Sequence, residues 1–110
     1  MGSDHSSTRE DLVIELDRVV ERLRSMPLIK LAAAWPPYES RAAGARALAQ
    51  RLADAAAILS GDQQYAVPDV GDAAVGDQVA VTGADLLAID APDDVLRTAA
   101  ADLRDFRLTI

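Results

Sequence analysis

No cysteine occurs in these 110 residues. That excludes disulfides, thiolate metal sites and cysteine nucleophiles together, and it suits a reducing cytoplasm. Histidine occurs once, as His5 in the N-terminal stretch, so neither a Ser-His-Asp triad nor a His/Cys zinc site can be assembled. Aromatic residues make up only 4% of the chain, so any core must be aliphatic. No apolar run approaches the roughly 18 residues of a membrane span, so no membrane contact is expected. The opening "MGSDHSSTRED" has neither the basic start nor the apolar stretch of a secretion signal. A cytoplasmic protein is expected.

What the chain does have is alanine, 22 residues of it. Alanine is the best helix former and a poor strand former, so helix is favoured before any pattern is read. The richness in Ala, Arg, Asp and Val also suits a GC-rich bacterial genome. The net charge of −7 is unevenly spread: residues 62–110 carry ten Asp against three Arg, whereas residues 28–61 carry four bases against two acids. A chain this acidic repels phosphate backbones, which argues against nucleic acid. Arg41, Arg46 and Arg51 are expected to face the acidic half, within one chain or between chains.

Apolar spacing places the helices. Leu12, Leu16, Val19, Leu23 and Met26 recur at 4-3-4-3, with Val13 and Val20 widening the stripe. Ser7, three residues before Glu10, fits a capping box, and Pro27 ends or kinks this helix. Residues 1–7 are expected to be a disordered tail and 8–110 a single domain. "PLIKLAAAW" could hold a turn or two, before "WPPYES" breaks the chain. A helix over about 39–60 would use Ala45, Leu48, Leu52, Ala55 and Leu59, with Gly61 as its stop. The last, over about 92–106, presents Leu96, Ala99, Leu103 and Phe106.

"VGDQVAVTGADLLAI", Val75 to Ile89, is less clear. Its β-branched residues around Gly83 allow a hairpin at about 78–90, and hence an α+β fold. As a helix over about 72–90, it aligns Val75, Val79, Thr82, Leu86 and Ile89 on the same seam as the first helix. Gly76 and Gly83, seven residues apart, then share one side, where a neighbouring backbone can approach. Neither "VAV" nor "LLAI" alternates as a strand should, so helix is preferred.

Little chemistry survives inspection. Gly71, Gly76 and Gly83 match no phosphate-loop pattern, and Asp69, Asp72 and Asp77 lack calcium-loop spacing. No cofactor, metal or catalytic residue is expected, and the chain reads as no enzyme. "GADLL" resembles the G-x-D-S-L of acyl carrier proteins, which are also small, acidic and helical. Leu86 stands where their modified serine would be, so no attachment residue is assigned. In "WPPYES", Trp35 and Tyr38 read as a hydrophobic plug over one end of a bundle. Together with Arg41 they also form a candidate partner contact, because aromatic residues and Arg dominate binding hot spots.

The segment "VGDQ…VTG.DLL" resembles one in short actinobacterial proteins of unassigned activity, which transfers no function. The expected fold is therefore all-α, a four-helix bundle whose short connections make sequence neighbours antiparallel. The expected function is non-enzymatic, through contact with itself as a homodimer or with another protein. A partner helix would complete the narrow Ala/Gly faces. The alternative is a small-molecule-binding protein or accessory enzyme subunit, with a pocket under Trp35.

Overall fold

A computed structural model describes residues 3–110, and their side chains from Ser7 onward. Five helices are present among the described residues and no strand: α1 (Ser3–Ser25), α2 (Leu28–Ala32), α3 (Arg41–Ser60), α4 (Val75–Ala88) and α5 (Asp93–Thr109). A single 3-10 turn, Asp72–Ala74, leads into α4. The fold is an all-α bundle of four long helices, and the hairpin alternative is excluded. No helix is long and apolar enough to cross a membrane among the described residues.

Local chemistry sets most boundaries. Ser40 caps α3, its extended backbone letting the hydroxyl accept from Ala43 N at 3.1 Å. Gly61, at φ 72°, closes the other end in the left-handed conformation that an L side chain would strain. The start of α1 differs from expectation. The helix is already formed at Ser3, so Ser7 lies inside it rather than capping it. "SDHSS" holds no proline or glycine to stop the helix growing backward, and extending a helix costs far less than nucleating one. Of the expected tail, residues 1–2 lie outside the described residues and Ser3–Ser7 are helical.

The seams are buried largely as the spacing requires. Leu12, Val19, Leu48, Val79, Leu86, Leu96 and Leu103 are fully buried, each such leucine stabilising the fold by about 1.5–3 kcal/mol. Two edges differ: Val13 is 39% exposed and Leu59 is 40% exposed, while Ala49, Ala53 and Ala56 are buried instead. A 3-4 stripe repeats every 3.5 residues and a straight helix every 3.6. The buried face therefore drifts by about 20° per heptad and leaves the stripe by the end of α3.

The packing order is the main departure. α1 lies between α4 and α5, and α3 lies opposite it, against α4 and α5; α1 with α3, and α4 with α5, make at most marginal contact. Of the consecutive long helices, α1/α3 and α4/α5 are thus diagonal, and α3/α4 are adjacent. α4 runs antiparallel to α1, since Leu16 meets Gly83 and Arg24 pairs with Asp77 at 2.8 Å. α5 runs parallel to α1: Arg9, near the start of α1, donates to Leu87 O just before the short link into α5, and Glu15 pairs with Arg107 further along both helices.

The 61–74 crossover makes this possible by retracing α3. Gln50 on α3 donates to Tyr65 O at 2.8 Å and accepts from Val67 N at 2.7 Å, while Gln78 on α4 donates to Pro68 O at 2.7 Å. Further back, Arg46 reaches Asp69 at 3.1 Å. α4 therefore starts beside the first half of α3 and runs parallel to it. Arg46–Asp69 and Arg51–Asp102 (3.6 Å) show that the basic and acidic segments face each other within one chain. Arg41 instead donates to Lys30 O at 3.3 Å.

Candidate functional site

Three surface features could carry function, and each follows from how the helices meet. The first is the corner where α2 turns into α3. Trp35 stacks on Tyr38 with ring centroids 5.8 Å apart, and meets Phe106 edge-on at 5.3 Å. Its indole Nε1 donates to Thr109 O at 3.3 Å. Beneath it lies Gly44, where an added Cβ would come within 2.5 Å of the indole ring. Only glycine lets the indole dock there. The space under Trp35 is thus filled by α3 and α5, which corrects the expected pocket at that place. Tyr38 accepts from Arg51 at 3.5 Å, and Arg41 turns to the backbone of α2. The structure brings Trp35 and Tyr38 together as a half-buried plug and points Arg41 away from them.

The second is a groove of about 350 Å³ between the crossover and α4. Tyr65, Val67, Pro68, Val70, Ala74 and Val81 give it an almost wholly apolar wall. Tyr65, Val70 and Val81 are each at least half exposed. Asp77, Gln78 and Thr82 also line it, and Gln78 Oε1 is buried without a hydrogen-bond partner while the same amide's nitrogen holds Pro68 O.

The third is the outer groove between α1 and α5, about 710 Å³. At its base Glu15 accepts from Arg107 at 3.0 Å, a partly buried pair that locks the two helices in register. Above it stand Ile14, 48% exposed, and Leu108, 62% exposed, among the small residues Ala100 and Ala101. Its charged rim carries both signs: Asp11 and Asp105 stand against Arg18, Arg97 and Arg104, with Glu15 below them already paired to Arg107. Although the chain carries a net charge of −7, this face is not acidic. The spacing passes over both Ile14 and Leu108. The signal available in the sequence is that each is an aliphatic residue lying off its helix's seam and flanked by charge.

Among the described residues, no group of three or more His, Cys, Asp or Glu side chains is placed to hold a metal. No protein-family model matches this chain, and no curated protein or solved structure matches it either.

Proposed function

We propose that this chain is a non-enzymatic helical protein that acts through protein–protein contacts, and that it works as a homodimer in the cytoplasm. The α1–α5 face carries the reading: exposed Ile14 and Leu108 lie on a surface that carries bases as well as acids. Net charge of one sign makes two copies repel, so self-association is favoured where the facing surface carries both signs. The core itself does not call for a second copy. Leu12, Leu48, Leu86, Leu96 and Leu103 are completely buried by one chain, so the dimer joins finished bundles rather than completing an open one. The acidic balance disfavours nucleic acid as the partner.

Light scattering across concentrations up to about 1 mM tests this. Mass rising toward twice 11.7 kDa supports the proposal; a single-chain mass throughout overturns the homodimer. A second reading, small-molecule binding, is favoured by the crossover groove. Its volume lies at the low end of ligand pockets, and its unpartnered Gln78 acceptor could orient a ligand bearing a donor. A metabolite that raises the melting temperature in wild type but not in Val81→Glu would favour that reading.

A further inference from the structure

The α1–α5 face holds more than a mixture of charge; the order of its groups along each helix is palindromic. The two helices run side by side, with Glu15 of α1 paired to Arg107 of α5, and residues 8–18 and 97–108 line one groove. Consider a two-fold axis crossing the face between Ile14 and Glu15. On α1 it would carry Asp11 onto Arg18 of a copy. Where the same axis crosses α5, between Arg104 and Asp105, it would carry Arg104 onto the copy's Asp105. It would also carry Leu108 onto the copy's Ala101, a large exposed residue onto a small one. One axis satisfies all three pairings. Such self-complementarity is what an isologous interface requires, since each patch must match itself after rotation.

We infer that the α1–α5 face is a two-fold interface for a second copy of this chain, with Ile14 at its axis, Leu108 seated on Ala101 and Arg104 paired with Asp105. This rests on the homodimer reading above and gives it a surface. Assembly through such a face depends on concentration. The crossover groove, by contrast, is lined by Asp77 and no base.

Sedimentation equilibrium on the whole chain and its variants decides the matter. Leu108→Glu should weaken association at least tenfold without changing the circular dichroism spectrum, because the side chain is 62% exposed. Arg104→Asp and Asp105→Arg should each weaken it, and the double swap should restore it, since each residue pairs only with the copy's other. Cysteine is absent from the natural sequence, so Ile14→Cys provides a direct check. Under mild oxidation it should form a disulfide-linked dimer, whereas Val81→Cys, exposed on the crossover groove, should not. A wild-type dimer indifferent to Leu108→Glu and to the swap, or equal cross-linking through Val81→Cys, would overturn this interface and leave the homodimer reading standing. A wild type that is monomeric at every concentration would overturn both.

Discussion

Replacing Gly83 by alanine should destabilise this protein, although alanine is the better helix former. Gly83 is buried in the middle of α4, where alanine gains about 1 kcal/mol of helix propensity. Against this, the new Cβ would lie 2.5 and 2.6 Å from the two Cδ atoms of Leu16 and 3.1 Å from its Cγ. Leu16 is 7% exposed and must swing out, toward the α1–α4 groove it borders. Overpacking of this kind costs about 1–3 kcal/mol, so the net loss is about 1 kcal/mol, a drop in Tm of roughly 4 °C. Gly76, on the same face one heptad earlier, supplies the control. Its added Cβ would meet Arg24 Cγ at 3.0 Å, part of a flexible stem, and other atoms at 3.4 Å. Gly76→Ala should therefore be neutral or raise Tm, losing at most part of the exposed Arg24–Asp77 pair. Thermal melts of both variants, and of Gly83→Ala in a Leu16→Ala background, form the assay. With the leucine truncated, Gly83→Ala should turn stabilising by about 0.5–1 kcal/mol, the propensity term alone. If Gly83→Ala stabilises the wild type as much as Gly76→Ala does, the close approach of α1 and α4 at this point is refuted.

Gly44→Ala should expel Trp35 from its seat, because the indole ring would lie 2.5–2.7 Å from the new Cβ; the expected readout is a red-shifted tryptophan emission with a loss of about 1–3 kcal/mol. Gln50→Glu removes the amide that donates to both Asp54 and Tyr65 O and sets a carboxylate beside Asp54. It should cost about 1–3 kcal/mol, and faster proteolysis within residues 62–71 is the sign to look for; unchanged cleavage there would mean that Gln50 does not hold the crossover. Far-UV circular dichroism should show about 75% helix, and a spectrum dominated by strand would contradict the fold.

Sequence alone determined which segments are helical and which face of each is apolar. Leu96, Ala99, Leu103 and Phe106 on α5 are all buried as their spacing requires, and the 4-3-4-3 run from Val75 outweighed the β-branched residues that suggested a hairpin. Stops were legible too, at Pro27 and Gly61, because a missing N–H and a left-handed backbone are properties of single residues. What only the tertiary structure decided is which faces meet. Short links suggested adjacent sequence neighbours, yet α1 lies diagonal to α3, and α4 to α5. Periodicity reports that a helix has an apolar stripe but not the shape that fills it. The choice of neighbour depends on pairs distant in sequence: Leu16 fitting over Gly83, Trp35 over Gly44, and glutamines on two parallel helices holding the backbone of the crossover between them. The same holds for the α1–α5 face. Ile14 and Leu108 are ordinary off-seam residues in the sequence, and they become one surface only because Glu15 and Arg107, 92 residues apart, lock the two helices side by side.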